Sequence, residues 1–208
     1  MNSLVARLVL GFIAAALGGA PAFAHHLMGG HTPSTFTEGV LSGLGHPVIG
    51  LDHLAAVIAV GCLAAVHRSG SALAAAFVLA MMGGVALHVH GSTVPGGEML
   101  VALSVLALGA MMILRQDMRA PTAFAIFIAV GLVHGYALGE SIFGAESTPL
   151  FAYLLGLVII QAAICVGAVH AMRGLMRSYP DLSPLRLVGA GIAGIGLAVL
   201  MQQIVPAV

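Results

Sequence analysis

Apolar residues run along this chain in stretches of roughly twenty, separated by short breaks rich in Gly, Pro and Arg. A helix needs about 20 apolar residues to cross the hydrocarbon core of a bilayer, so each stretch predicts a membrane-spanning helix. Beyond the first 24 residues, six such stretches occupy residues 45–66, 71–91, 97–114, 121–141, 149–172 and 184–206. The breaks between them are too short for a second domain. The pattern therefore predicts an all-α, polytopic membrane protein with a six-helix transmembrane domain over residues 45–208.

The first 24 residues have the pattern of a secretory signal peptide. Arg7 provides the positive charge, residues 8–17 the apolar core, and Ala22-Phe23-Ala24 an A-x-A cleavage site. We expect cleavage after Ala24, and an uncleaved first helix is the alternative.

Cleavage there would leave residues 25–44 as a periplasmic N-terminal segment that contains His25, His26 and His31. An N-terminal His can chelate a metal ion through its free amine and its ring, so these three residues are predicted accessory metal-collecting positions. A disordered, solvated tail is the alternative interpretation of the same residues.

Composition excludes several classes of protein. The chain is 60% hydrophobic and only 7% charged, whereas a soluble domain has about 25% charged residues. Its formal net charge is zero, with ten His counted as neutral, so nothing indicates a nucleic-acid partner. The sequence has no G-x-x-x-x-G-K-[ST] loop, so ATP is not the direct energy source. The expected partner is the lipid bilayer, and the oligomeric state stays open.

The cationic residues alternate between the breaks, which predicts how the helices are oriented. Beyond Arg7, every cation lies in the first, third or fifth of the five breaks or at its edge: Arg68, Arg115, Arg119, Arg173, Arg177 and Arg186. Cytoplasmic loops carry an excess of Lys and Arg. The pattern therefore predicts a bacterial inner-membrane protein whose mature N-terminus and C-terminus both lie in the periplasm.

One run in the first predicted helix, His46-Pro47-Val48-Ile49-Gly50-Leu51-Asp52-His53, brings a carboxylate and two imidazoles into an apolar stretch. An unpaired ionisable side chain in hydrocarbon is costly, and such residues usually mark an ion or proton pathway. Two His and one Asp are also good ligands for a divalent transition metal. At 1.5 Å per helical residue, Asp52 and His53 would lie roughly 10 Å deeper than His46.

Further imidazoles and carboxylates fall at the periplasmic ends of other predicted helices. The candidates that would join the same site are His88, His90, Glu98, His134 and, as an accessory residue, Glu140. His67 and His170 lie instead at the cytoplasmic ends, where contact with water explains them. Polar residues from four helices thus predict a metal site in the outer half of the membrane.

The spacing His46-x5-Asp52 on the first predicted helix is echoed by His134-x5-Glu140 on the fourth. These helices head the two three-helix halves and run in opposite directions through the membrane. Inverted repeats with a binding site at their interface are common in secondary transporters. Two matched positions could also arise by chance, so both interpretations stay open.

The segment HPVIGLDHLAAVIAVG, residues 46–61, resembles the signature on the first helix of the HupE/UreJ family. VPGGEMLVALSVLALG, residues 94–109, and HGYALGE, residues 134–140, are similar to further segments of the same family. Members are bacterial membrane proteins associated with nickel supply to hydrogenase and urease. The resemblance extends along the chain and implies permeation of a metal ion, principally Ni2+, with related members linked to cobalt.

The resemblance also implies roles for individual side chains, four polar and one aromatic: His46, Asp52, Glu98, His134 and Phe77. The chain departs from the family pattern on the fourth helix. Leu138 stands where the family usually has a second His, and Glu140 falls one position before the usual acid. His88 and His90 are additional imidazoles, so metal ligation could have moved toward the second helix.

Together these observations predict a secondary permease, not an enzyme, that moves Ni2+ (or Co2+) from periplasm to cytoplasm. An intramembrane zinc hydrolase stays open as the alternative, although the sequence has no H-E-x-x-H motif. A copper-binding protein is less favoured, because Met in such helices is mostly core filler. A haem protein with paired axial histidines is also less favoured but stays open, because the lack of a C-x-x-C-H motif excludes only covalently attached haem.

Overall fold

A computed structural model describes residues 31–114, 118–180 and 183–205. Regular structure within these ranges is entirely helical, which confirms the all-α prediction. In chain order the helices are α1 Phe36–Ile49, α2 Leu51–Ala64, α3 Gly70–Val89, α4 Gly97–Leu114, α5 Ala120–Leu138 with the 3-10 turn Gly139–Ile142, α6 Ser147–Ser178 and α7 Pro184–Ile204. The predicted signal peptide, His25 and His26 lie outside the described residues.

Among the described residues, five helices, α3 to α7, are long and apolar enough to cross a membrane. The pair α1 and α2 would make a sixth span, but the chain bends by 78° between them. The structure therefore supports a multi-pass membrane protein with five or six spans. The single helix predicted over residues 45–66 is wrong, because Gly50 takes an extended conformation and splits it in two.

Helix α1 begins within the segment that the sequence assigned to a periplasmic tail, residues 25–44. A capping box explains this earlier start. The Thr35 hydroxyl accepts a hydrogen bond from the Glu38 N–H, and the Glu38 carboxylate accepts one from the Thr35 N–H in return. This reciprocal pair satisfies two backbone donors that a helix start otherwise leaves unpaired.

Three close helix pairs form the body of the protein: α1 with α6, α3 with α5, and α4 with α7. Each pair meets at glycines where an added Cβ atom would collide with the partner helix, as at Gly43, Gly131 and Gly109. Small residues let backbones approach closely where lipid provides no hydrophobic drive for association. The order of the contacts shows that the first two pairs are parallel and the third is antiparallel.

Helix α2 occupies the centre of the bundle. Ten of its fourteen residues are buried, and it packs against α3, α4, α6 and α7. At its C-terminal end, the Arg173 guanidinium donates hydrogen bonds to the carbonyls of Ala65 and His67 at 3.1 and 3.3 Å. These bonds satisfy carbonyls beyond the helix end and tie α2 to α6. The residues at the start of α2 are therefore held at a defined place inside the protein.

Candidate metal site

The break between α1 and α2 lies at Gly50. Its N–H donates to the His46 carbonyl at 3.1 Å, and its own carbonyl accepts from the Leu54 N–H at 2.9 Å, so it ends one helix and starts the next. A Cβ atom at this position would lie 2.9 Å from His53 Cδ2 and 3.2 Å from Asp52 Oδ1. Only glycine leaves space for both side chains to approach the turn this closely.

Asp52 lies in the first turn of α2, and not two turns inside an unbroken helix as the sequence predicted. Its Oδ1 accepts a hydrogen bond from the His53 backbone N–H at 2.8 Å. The positive end of the helix dipole favours a carboxylate at this position. The helix break thus gives a negative charge inside the span a stabilising partner that a continuous helix would lack.

His53 and His134 form the centre of the candidate site. Their side chains come from α2 and α5 and are 4% and 0% exposed, and their two Nδ1 atoms are 3.0 Å apart. On its other side, His134 Nε2 lies 2.8 Å from the Ser104 hydroxyl of α4. This hydroxyl in turn donates to the Val101 carbonyl at 2.7 Å. Three helices therefore contribute to one chain of buried hydrogen bonds.

The two buried rings are held by this network. Of the two Nδ1 atoms 3.0 Å apart, one donates and the other accepts, and the Ser104 hydroxyl lies within hydrogen-bond distance of both His134 Nε2 and the Val101 carbonyl. Metal-binding His residues commonly donate their other ring N–H to a neighbour, which sets the orientation of the ring. The Nδ1 contact holds the His53 ring in the same manner.

His46 adds a third imidazole from the last turn of α1. Its side chain is buried, and its ring centroid lies 6.2 Å from that of His53, while the His53 and His134 centroids are 5.1 Å apart. Asp52 is near enough to interact electrostatically with His134. The structure thus brings together four of the seven predicted metal residues, namely His46, Asp52, His53 and His134.

The other predicted residues lie elsewhere. Glu98 and Glu140 are exposed, in the first turn of α4 and in the 3-10 turn, and His31 is exposed before α1. His90 is also exposed, with its Nδ1 2.7 Å from the Ala86 carbonyl of its own helix. His88 packs between Tyr136 and Phe143, at centroid distances of 4.6 and 5.7 Å.

Within the part of the chain that the structure describes, no three His, Cys, Asp or Glu side chains form a group that could hold a metal ion by themselves. The cluster of His46, Asp52, His53 and His134 therefore offers a partial ligand set. An ion there would complete its coordination with water or backbone oxygens.

Phe77, the predicted aromatic on the second apolar stretch, is fully buried in α3. Its carbonyl lies against Gly131 of α5, where an added Cβ atom would come within 2.7 Å. Gly131 precedes His134 by less than one turn, so the backbone of Phe77 packs beside the turn of α5 that carries this imidazole.

Sequence reasoning missed Ser104. The signal was an isolated hydroxyl in a stretch of Leu, Val and Ala, residues 100–109. Ser in a membrane helix commonly bonds its own backbone, as Ser104 does here, and hydrogen bonds between helices are a second use. Only the packing of α4 against its neighbours shows that this hydroxyl serves both purposes.

The sequence match between the two halves extends beyond the pairs His46/His134 and Asp52/Glu140. Gly43-Leu44-Gly45-His46 matches Gly131-Leu132-Val133-His134, and an acid follows each His six residues later. Gly43 packs against the Tyr153 carbonyl and the Leu157 nitrogen of α6, while Gly131 packs against the Phe77 carbonyl and the Met81 nitrogen of α3. The pairs α1–α6 and α3–α5 therefore share one contact pattern, as an inverted repeat requires.

Comparison with known proteins gives the same family that the sequence motifs resemble. A family model described as HupE / UreJ protein matches residues 13–199. Protein HupE of Rhizobium leguminosarum bv. viciae is 30% identical over 185 residues, which cover 87% of this chain and 92% of that protein. No solved structure matches the chain significantly. With a family match over most of its length and the segments around His46, Glu98 and His134 in place, the chain belongs to the HupE/UreJ family of membrane proteins.

Proposed function

We propose that this protein is a secondary permease that carries a divalent transition-metal ion, Ni2+ or Co2+, from periplasm to cytoplasm. The observation that carries the proposal is the buried chain His53–His134–Ser104 beside Asp52, at a break in an otherwise apolar span. Ionisable side chains at this depth are costly unless they serve an ion pathway. The link of the HupE/UreJ family with nickel and cobalt handling supports the same function.

Each residue of the cluster has a distinct part in this proposal. His46, on the last turn of α1, receives the ion from the periplasmic side. His53 coordinates it after partial dehydration, and the Asp52 carboxylate offsets the charge that enters the span. His134 and Ser104 hold the His53 ring in its orientation. Glu98 would attract cations near the mouth of the pathway.

The partial ligand set suits an ion that must also leave. Ni2+ with water in its remaining positions is bound less firmly than in a closed cage of protein ligands. The membrane potential favours inward movement of a dication by roughly 4.6 kcal/mol per 100 mV, from about 2.3 kcal/mol per charge. The imported metal would then serve nickel enzymes such as hydrogenase or urease.

Uptake by Asp52→Asn tests this function. The substitution preserves shape but removes the negative charge, so uptake of Ni2+ by proteoliposomes should fall at least tenfold, the effect of losing about 1.5–3 kcal/mol of interaction with a charged group. Parallel assays with Co2+, Zn2+ and Cu2+ establish the selectivity.

His170→Ala is the matched control, because His170 is an exposed imidazole on α6 far along the chain from the cluster. It should transport like the wild type. Normal uptake by Asp52→Asn, or loss of uptake in His170→Ala, would show that the ion does not pass through the cluster around His53.

A further inference from the structure

Gln161 of α6 is a fully buried amide whose polar atoms have no hydrogen-bond partner within the described part of the chain. Its side chain is 0% exposed, and neither Oε1 nor Nε2 has a hydrogen-bond partner among the described residues. Burying a polar group without a hydrogen bond is costly in any apolar environment. We therefore expect a polar species, such as water or an ion, to lie beside this side chain.

The neighbours of Gln161 place it opposite the helix break. Leu157, one turn earlier on the same face of α6, packs against Gly43 of α1, and Cys165, one turn later, packs against Gly61 of α2. Gln161 therefore faces the region where α1 ends and α2 begins. The same break presents His46, Asp52 and His53, so the unpaired amide lies at the depth of the imidazole cluster.

The internal repeat shows that the fold does not need an amide at this place. In the matching pair α3–α5, the residues equivalent to Tyr153 and Leu157 are Phe77 and Met81. One further turn along, the counterpart of Gln161 is Val85, which is equally buried. An apolar side chain fills the equivalent space, so packing alone does not account for Gln161.

We propose that Gln161 is a second binding station for a hydrated divalent cation, next to the cluster of His46, Asp52, His53 and His134. The inference rests on the proposed transport function. The amide oxygen can ligate a metal ion or accept a hydrogen bond from one of its bound waters, which suits an ion that keeps part of its water shell. A neutral amide binds a dication more weakly than a carboxylate does, so the station passes the ion onward and does not retain it.

Cysteine labelling tests whether the space beside residue 161 is wet. The variant is Gln161→Cys with both native thiols replaced, Cys62→Ala and Cys165→Ala, and a water-soluble methanethiosulfonate reagent should label it. Equilibrium dialysis of the purified protein against Ni2+ tests whether the amide holds an ion, and Gln161→Leu should bind Ni2+ about tenfold more weakly than the wild type, the loss expected for one polar contact to a cation. Val85→Cys in the same background is the matched control and should stay unlabelled.

Each result decides the proposal without reference to transport. Labelling of Gln161→Cys no faster than of Val85→Cys shows a dry site and overturns it. Equal Ni2+ affinity of Gln161→Leu and the wild type shows water alone and overturns it as well. If the wild type moves no divalent metal while Gln161→Leu binds Ni2+ more weakly, the transport function fails and the binding station stands.

Gln161→Leu separates a binding role from a structural one. Removal of the unpaired amide should leave the thermal unfolding temperature in detergent unchanged or higher, while Ni2+ uptake falls by about tenfold, the loss expected for one polar contact to a cation. A fall in the unfolding temperature would show that the amide stabilises the fold. Unchanged uptake would show that the ion does not use it.

Discussion

At the scale of single residues, the proposed site includes a hydroxyl that is not itself a ligand. Ser104 Oγ lies 2.8 Å from His134 Nε2, and His134 Nδ1 lies 3.0 Å from His53 Nδ1, so the hydroxyl helps to orient both rings. Hydrogen bonds of this kind behind a ligating His commonly change metal affinity by about 10- to 100-fold when they are removed. In the proposed mechanism, a neighbouring helix thus sets the orientation of the His53 ligand.

Ser104→Ala should weaken metal capture while leaving the fold intact. Without the hydroxyl, His134 Nε2 loses a hydrogen-bond partner and the two rings are less firmly oriented, so the metal concentration for half-maximal uptake should rise about 10-fold. Ser71→Ala, at an exposed position on α3, is the control. Uptake measured across Ni2+ concentrations checks this, and an unchanged half-maximal concentration would contradict the role given to the hydroxyl.

At the scale of elements, glycine contacts set the distance between helices and so the distance between rings. His134 lies three residues after Gly131 and directly before Gly135, and both glycines pack against the backbone of α3. Any side chain there would push α5 away from α3 and shift the imidazole. Close backbone packing between paired helices therefore positions the hydrogen-bonded side chains of His53, His134 and Ser104.

Gly131→Ala tests this at the element scale. The new Cβ would lie 2.7 Å from the Phe77 carbonyl and 2.8 Å from Ala80 Cβ, so the helices must move apart. Overpacking of this kind costs about 1–3 kcal/mol, and we expect a lower unfolding temperature in detergent together with reduced uptake. Gly167→Ala, where a Cβ meets nothing within 4 Å, should have neither effect. Equal stability of the two variants would contradict the packing argument.

At the scale of the whole molecule, the helix pairing is consistent with two halves of opposite orientation, the first ending with α4 and the second beginning with α5. Such halves produce two parallel pairs, α1–α6 and α3–α5, and one antiparallel pair, α4–α7. The site lies where the halves meet, because His46 and His53 come from the first half and His134 from the second. Transporters built in this way expose a central site to each side in turn by rocking one half against the other. The architecture therefore agrees with the proposed movement of an ion through the protein.

Reporter fusions test the orientation of the whole molecule. A reporter placed after Arg119 or Arg177 should indicate cytoplasm, and one placed at Gly96 or Glu146 should indicate periplasm, because Arg is confined to alternate connections. Alkaline phosphatase and green fluorescent protein fusions measure the two outcomes. Phosphatase activity at Arg119 would reverse the orientation and, with it, the direction of entry proposed for the metal.

Sequence alone determined the class of protein and its family. The length and polarity of the apolar stretches predict membrane spans because the bilayer thickness sets a simple local requirement, and residues 97–114 coincide with α4. The motif from His46 to Gly61 gave the family and three of the clustered side chains. These features are local in the chain, so no knowledge of packing was needed to find them.

Tertiary structure alone decided which polar residues meet. His88 and His90 were predicted to join the same site as His134, yet His90 is exposed and His88 packs against Tyr136 and Phe143. The direction of a side chain around a helix depends on which helix packs there. The break at Gly50 was hidden for a similar reason, since an apolar stretch has the same composition whether it is straight or bent. Ser104 and Gln161 acquire meaning only from neighbours distant in the chain, and such neighbours are specified by packing between helices.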